Sequence, residues 1–597
     1  MVELFATRHP CLLASVVNAT VLFLLLGSLE MVLLVMLPGA VGLLWTVGVL
    51  GIPVSFMDFV FVLIAMLVAT AGSLFLLMVE LAPFRGRPAR GDATGGSIAL
   101  CAIASMLGFG VLAVARRSAP CSPGGAAFLG MEFSVAASTL LVPSGARAFL
   151  RRSACGGAPR LHHLAGGLWC LIYLVVIHSI LLAIAVPIAT LIHPRSRELR
   201  AKWLRRLARP GLAGLAHTFP YGKVVCTGIT RAAFAKPSVI ISNHQSIVDI
   251  PLLARVPCDL RLTIKSQWWT HPLIGAGVKA LGHIRVEPGE PGALIRQCSR
   301  AFAEGSSVHF FPQGTRSRYD EPMRFHKGAF ELAIHLNAEI QPVVLCDTWT
   351  CLPRGAMWVE NSCMRMKALS RITPETFDYS MGARALAKHA EELMSRAWME
   401  ELEMNNTPVI LRRKVGRLYR HQGLRVEMGV FFRLRRDPGL AELHGLVPRR
   451  GLILDLGCGY GAVSHWLAQS SPERRILGID RDADKVRVAL CSARGSRQVM
   501  FEDHDLGAWL LPECSAILLL DVLGGSVTQE EEALLGRAFE ALVRGGRLFL
   551  RVAPSARGSR AAVATQEYLG KLQGLGFATV YPARGAHGGR AILVACK

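Results

Sequence analysis

The sequence predicts a multidomain chain: an α-helical transmembrane bundle, then an α/β domain, then a second α/β domain built of successive βα units. Three observations carry this. Six long apolar runs fall within the first 193 residues, two strand-to-turn blocks rich in polar side chains follow near residues 243 and 312, and a strand feeding a glycine-rich turn opens the last third at residue 451. The length of 597 residues allows about four units at roughly 150 residues each. With 52% hydrophobic residues, 18% charged residues and a mean hydropathy of +0.38, the chain is too apolar for an ordinary soluble enzyme and is not disordered. The formal charge is +23, yet residues 1–193 hold ten Arg against six acids, so the basic part is a different stretch from the apolar part. The fifteen Cys form no Cys-x-x-Cys pair and no cluster at zinc spacing, which predicts reduced thiols and no metal site.

The apolar runs are 11–28, 31–51, 57–79, 97–115, 126–146 and 167–193. About 20 apolar residues span a bilayer as a helix. No cleavable signal is evident at Met1–Pro10. Arg85, Arg87 and Arg90 separate runs three and four, and Arg147, Arg151, Arg152 and Arg160 separate runs five and six, whereas Gly51–Ser55 carries no charge. The Lys/Arg bias places the Arg-rich loops in the cytoplasm. That puts Met1 outside, or makes one of the six segments interfacial. Run six is expected to be a re-entrant or interfacial hairpin with His178 near its bend. The segment Pro194–Pro210 after it holds seven Lys/Arg and one Glu, as expected of a stretch facing anionic lipid. The stretch Gly51-Ile-Pro-Val-Ser55, with Ser105-Met-Leu-Gly-Phe-Gly110, resembles the C-terminal membrane half of resistance-nodulation-division-type exporters over residues 10–150. The proton-relay acid of such exporters is missing from Val68-Ala-Thr-Ala-Gly-Ser-Leu74, so this third is expected to anchor or dock rather than pump.

The middle third, 194–405, opens with a buried strand, Ser238–Ser242, that runs into Asn243-His244-Gln-Ser-Ile-Val-Asp249. A carboxylate bonded to one imidazole nitrogen fixes the tautomer and makes the other nitrogen a better base. A second strand, Ser307–Phe311, ends in Pro312-Gln313-Gly314-Thr315-Arg316-Ser317, where backbone N–H groups, a hydroxyl and an Arg fork suit a phosphate. Between and after them lie Thr263-Ile-Lys265-Ser-Gln-Trp268, Pro272-Leu-Ile-Gly275, Leu281-Gly-His-Ile-Arg285 and Gln341-Pro-Val-Val344. In this order the blocks resemble the glycerolipid acyltransferase family, which includes lysophosphatidate acyltransferases. The resemblance implies that His244 is the general base on a glycerol-type hydroxyl and that Asp249 orients it. Acyl-CoA or acyl-carrier protein would be the donor. Asn243, Lys265, Arg285, Gln313, Gly314, Thr315 and Arg316 would bind substrate. Gln313 stands where the family has Glu, which bears on acceptor identity more than on the chemistry.

Residues 406–414 read as a linker and 415–597 as the last domain. Gly451-Leu-Ile-Leu-Asp455-Leu-Gly457-Cys-Gly459-Tyr-Gly461 is a strand and glycine turn that leads into a helix. A lone glycine motif suits a dinucleotide equally well. The context favours another cofactor: strand ends at Asp480, at Asp503 and at Asp521, Ala462 in the sixth motif position, and a closing pair Ala578–Tyr581 and Ala591–Ala595. This region resembles class I S-adenosylmethionine-dependent methyltransferases, Rossmann-like and seven-stranded. The resemblance implies that Asp455, Gly457, Gly459 and Gly461 cradle the methionine part of S-adenosylmethionine, that Asp480 binds ribose and that Asp503 binds the adenine amine. His504 and Asp521 are candidate bases, with His504 read equally as a polar loop residue.

Together these readings give a bifunctional lipid-tailoring enzyme in the cytoplasmic membrane, with its enzymatic domains in the cytoplasm. Expected partners are membrane lipids, the acyl donor and an exporter or other lipid-assembly proteins. Nucleic acid is not expected, because no recognition module accompanies the charge. The rival reading is an exporter-docking protein with inactive or binding-only cytoplasmic domains.

Overall fold

The computed structural model describes residues 10–50, 56–86, 123–151, 157–218, 222–272, 274–287, 289–317, 324–437, 439–524, 527–552, 559–583 and 592–597. Its contacts divide the chain into two units: residues 153–155 with 161–410, and residues 1–152 with 156–160 and 411–597.

The first unit is built on a seven-stranded sheet. Its strands are β1 (Lys223–Thr227), β2 (Val239–Ser242), β3 (Leu260–Lys265), β4 (Ile284–Val286), β5 (Ser307–Phe310), β6 (Ile340–Cys346) and β7 (Cys363–Ala368), in the order β1-β7-β6-β2-β5-β3-β4. All pairs are parallel except β6–β7. The central strands β2, β5 and β6 are buried along their whole length, so they read as continuous runs and not as alternations. One face packs Val239, Ile241, Phe330, Leu386 and Trp398, and the other packs Ile240, Leu252, Val343 and Met364. Ile241 pairs with Phe310, which sets the turns after β2 and β5 side by side.

This unit begins with one helical segment, Leu161–Ile192. It does not double back as the expected hairpin would. His178 lies three residues before a π-helical turn, Leu181–Ala185, inside a continuous helix. Pro187 follows, and its missing N–H breaks the regular ladder there. The segment is mostly exposed, with Leu168, Trp169, Leu171 and Val175 each more than half exposed. The basic helix Arg197–Thr218 comes next. It anchors to the sheet through Arg205, whose Nε and Nη2 donate to Asp259 at 2.7 and 2.8 Å.

The second unit contains the sheet β8 (Gly451–Leu456), β9 (Arg474–Asp480), β10 (Val499–Asp503), β11 (Cys514–Leu520), β12 (Leu542–Arg551), β13 (Thr579–Pro582) and β14 (Leu593–Cys596). The order is β10-β9-β8-β11-β12-β14-β13, with β14 antiparallel to both neighbours and the rest parallel. The chain crosses from β10 over to β11, so the ends of β8 and β11 flank a topological switch point, where open α/β sheets bind ligands. Most of the stretch 406–414 is helical, in Pro408–Gly416, and the boundary between the two units falls within it, after Ile410. Pro408 starts the helix, and Leu411 and Val415, four apart, bury one face in the core with Trp466 and Phe549.

The same unit holds the helices Pro10–Leu26, Leu29–Leu50, Phe56–Phe84 and Pro123–Leu150. Leu26, Met31, Val35, Leu77 and Val142 pack between them. Ser73 and Ser138 share a hydrogen bond of 2.8 Å. Leu24, Leu44 and Leu140 are 65%, 69% and 70% exposed, so these helices are apolar on the outside as well. Among the described residues, Glu132–Leu150 and Leu161–Ile192 are long and apolar enough to cross a membrane, and Val17–Leu26, Leu29–Gly42 and Thr70–Phe84 are shorter apolar stretches. Run four, the loop Gly51–Ser55, Ser105–Gly110 and Arg87, Arg90, Arg116, Arg117 and Arg152 lie outside the described residues.

Candidate functional sites

The turn after β2 carries the first site. His244 Nδ1 lies 2.8 Å from Asp249 Oδ2. The same oxygen accepts the backbone N–H groups of Gln245 and Ser246 at 2.7 and 2.9 Å. Asp249 starts a short helix and is wholly buried, while the His244 side chain keeps 17% exposure. With Nδ1–H donated to the carboxylate, Nε2 is left as the base. Phe311 stacks on the ring at 3.8 Å between centroids, which fixes its plane.

The turn after β5 closes over this one. His244 N donates to Gln313 Oε1 at 2.6 Å, and Ser317 N donates to His244 O at 2.9 Å. Gln313 is therefore the clasp between the two turns. An amide oxygen accepts this bond as a carboxylate oxygen would. Gly314 takes φ +67°, and Thr315 is exposed. Arg316 is partly buried. Burial and the charge of Arg354 push its guanidinium down, and Asp249 opposes them. Arg354 is thus near enough for its charge to act on Arg316, although no motif marks it. It follows the segment Asp347–Leu352, which is tied to the His244 turn by Thr348 Oγ1 donating to Gln245 Oε1 at 3.2 Å and by Ser246 Oγ donating to Leu352 O at 2.7 Å.

The other expected substrate residues have different places. Asn243 exchanges two bonds with the Leu345 backbone, both at 2.7 Å, so its amide positions the turn on β6. Lys265 ends β3 and Arg285 sits on the edge strand β4, two and three strands from β2. Arg285 Nε pairs with Glu287 Oε1 at 2.8 Å. Sequence reasoning missed His309 beneath the turn. It is buried, bonds Ser242 Oγ at 2.8 Å, meets Phe311 edge-on, and is pushed down to about 3 by burial and by His244. A histidine within a buried strand is the signal that could have found it.

The second site lies at the ends of β8, β9 and β10. Gly457 N and Cys458 N donate to Ile479 O at 2.7 and 3.0 Å, which locks the glycine turn to β9. A Cβ on Gly457 would meet Val522 at 2.2 Å, and one on Gly461 would meet Phe501 at 2.3 Å. Gly459 takes φ +57° with open space beside it, where a ligand can approach the backbone. Asp455 is buried, bonds Ser464 Oγ at the start of the following helix, and is pushed up to about 6 by burial. It supports the turn from beneath. Asp480 Oδ2 accepts Gly459 N at 2.7 Å and Oδ1 accepts Asp482 N at 2.9 Å. Each oxygen keeps a second acceptor position, as ribose hydroxyls require. Asp503 pairs in register with Asp480 and is exposed. These residues fit an adenosine-type cofactor.

Neither candidate base is poised to act as one. Asp521 is held by Arg433 Nη1 and by Arg551 Nη2, the latter at 2.7 Å. Burial pushes its carboxyl up, but the two Arg bonds hold it below its usual range. Arg551 also grips Asp437 at 2.7 and 2.8 Å, so Asp521 belongs to a buried ion network. His504 sits on the surface, 3.1 Å from Glu502 and stacked on Trp509.

Two family models match this chain: Acyltransferase over residues 223–346 and Methyltransferase domain over residues 453–546. The chain carries an acyltransferase domain and a methyltransferase domain. Both are transferase families. The acyltransferase region is 34% identical over 158 residues to a 1-acyl-sn-glycerol-3-phosphate acyltransferase of Chlamydomonas reinhardtii, covering 25% of this chain and 48% of that protein. It is 29% identical over 147 residues to the chloroplastic 1-acyl-sn-glycerol-3-phosphate acyltransferase of Arabidopsis thaliana, covering 24% and 41%. The chain thus spans about half the length, or less, of these relatives. Among solved structures, the 1-acyl-sn-glycerophosphate acyltransferase of Thermotoga maritima aligns at 20% identity over 40% of this chain and 96% of its own, with a TM-score of 0.36.

Proposed function

We propose that the chain is a bifunctional, membrane-bound lipid-tailoring enzyme. The acyltransferase domain esterifies the hydroxyl of a lysophospholipid or glycerol-type phosphate. His244 Nε2 takes the hydroxyl proton, the oxygen attacks the thioester carbonyl of acyl-CoA or acyl-carrier protein, and the thiol leaves with a proton. Asp249 fixes the imidazole and offsets the positive charge that forms on it. Arg316 and Arg354 hold the acceptor's phosphate, aided by Gly314 and Thr315. The observation that carries this reading is the 2.8 Å His244–Asp249 bond beside a half-buried arginine.

The methyltransferase domain binds S-adenosylmethionine through the turn Gly457–Gly461, Asp480 and Asp503. When bound, that cofactor supplies an electrophilic methyl group. The residues of this chain orient the acceptor and exclude water, and with Asp521 taken by two arginines the acceptor must bring its own good nucleophile.

The helices of residues 10–150 and the segment Leu161–Ile192 anchor the chain in the cytoplasmic membrane. Exposed apolar surface of this extent supports lipid contact. Arg85, Arg147, Arg151 and Arg160 mark the cytoplasmic side.

The test is acyl transfer to lysophosphatidate in membranes that hold the full chain or its His244→Ala variant at equal abundance. The variant should lose about 10²–10⁴ of the rate. Undiminished transfer would remove His244 from the mechanism.

A further inference from the structure

We infer that the helix Leu424–Arg436 lies in the headgroup layer of an anionic bilayer, beside the mouth of the methyltransferase site. The inference rests on the membrane reading above. One side of the helix is buried through Val430 and Leu434. The other exposes Met428, Phe431 and Phe432 at 41%, 48% and 38%. These fall at i, i+3 and i+4, so they form one apolar stripe. Exposed Arg425, Arg435 and Arg436 flank the stripe, and the last two guanidinium groups sit 5.7 and 4.5 Å from the rings of Phe431 and Phe432. Aromatic side chains bordered by Arg suit an interface between acyl chains and phosphates. A hydrophilic polyanion would be matched by the arginines but would leave three large apolar side chains in water.

The position of the helix supplies the second argument. Its N-terminus abuts the turn between the apolar helices Pro10–Leu26 and Leu29–Leu50. Gly27 takes φ +72°, and a Cβ there would meet Leu424 N at 2.4 Å. Arg85, which ends Phe56–Phe84, donates to His421 O at 2.9 Å and to Leu26 O at 3.4 Å. Arg160 donates to Glu427 at 3.0 Å. The helix therefore starts where the apolar helices end, at the level of their Arg-marked ends. The helix also reaches the methyltransferase site: a Cβ on Gly429 would lie 3.8 Å from Tyr460 of the glycine turn, and Arg433 binds Asp521. An amphiphile in the cytoplasmic headgroup layer at this face would meet the site without leaving the bilayer.

The test uses the full chain reconstituted into vesicles of phosphatidylglycerol and phosphatidylethanolamine. One set carries a lipid with a photoreactive diazirine at the glycerol level, and another carries the diazirine at mid-chain. Adducts are mapped by mass spectrometry. The glycerol-level probe should mark Met428, Phe431 and Phe432, and the mid-chain probe should mark 29–50. The double variant Phe431→Ser, Phe432→Ser should lower labelling of 424–436 at least tenfold and leave 29–50 unchanged. Labelling of 29–50 without 424–436 would overturn the inference and leave the membrane reading intact. Labelling of neither would overturn both. Chain-to-chain crosslinks through 424–436 in place of lipid adducts would show that a second copy covers the stripe, and would also overturn it.

Discussion

The two sites differ in what they hold ready. In the acyltransferase domain the proposed reacting group is the His244 side chain, and bonds converge on it. Asp249, Phe311 and the backbone partners Gln313 and Ser317 all fix His244. In the methyltransferase domain neither candidate base, Asp521 or His504, is poised to act, and the bonds converge on the backbone of a glycine turn. The difference is chemical. Where the protein performs the proton transfer, it must orient an imidazole; where a cofactor brings the electrophile, the protein need only shape a cradle.

Variants should therefore separate the two sites. Asp249→Asn should break the first alone. An asparagine cannot accept the imidazole proton and both backbone bonds in the same way, so acyl transfer should fall by about 10³–10⁴. Binding of S-adenosylmethionine by the same preparation, read by calorimetry, should stay unchanged. The converse is Gly461→Val, where a side chain at φ +79° would strike Phe501. Cofactor affinity should drop by about 10–100-fold, given ~1–3 kcal/mol for the strained backbone. Acyl transfer should hold within about twofold, which also shows that the chain still folds.

Smaller effects sharpen the account of each part. Arg354→Ala should raise the KM for a phosphate-bearing acceptor about tenfold or more, for one lost charge-assisted bond, and should move kcat less. A neutral glycerol acceptor should not feel the change. His309 titrates near 3 when folded and near 6.5 when free. The unfolded chain therefore binds the proton first, and stability drops as pH falls from about 6.5 toward 3. His283, pushed to about 3 mainly by burial, acts in the same direction. His309→Gln should flatten that loss by about 1.4 kcal/mol per pH unit between pH 6 and 4, measured by chemical unfolding. Gln313→Glu should change acyl transfer least, within about threefold, because a carboxylate oxygen can still accept His244 N–H.

Much of the first site was legible because its chemistry sits in two short turns. His244 and Asp249 are five residues apart, and β2–β5 pairing brings the second turn alongside. The roles of Asn243 and Gln313 were not legible. Both are polar residues in or beside the His244 turn, and only the tertiary structure shows that their amides are spent on Leu345 O and N and on His244 N. Arg354 was hidden for the same reason, since the connection after β6 brings it to the site from 110 residues beyond His244. In the last domain the succession of strands and helices was legible from their alternation, whereas the order of the strands in the sheet came only with the structure. The binding of Asp521 by Arg433 and Arg551, residues 88 and 30 positions away, carries no local signal. The hairpin expected near His178 failed on a different point. It rested on the charge bias of the loops and not on any local turn signal, and the chain instead stays helical through a π turn at Leu181–Ala185.

The central claim is that one imidazole drives acyl transfer independently of the methyltransferase half. Its most direct test is transfer of a labelled acyl chain from acyl-CoA or acyl-carrier protein to lysophosphatidate by purified full chain, wild type against His244→Ala, with S-adenosylmethionine binding measured on both. Loss of labelled product in the variant with cofactor binding intact is the expected result. Equal product from both proteins would contradict the account.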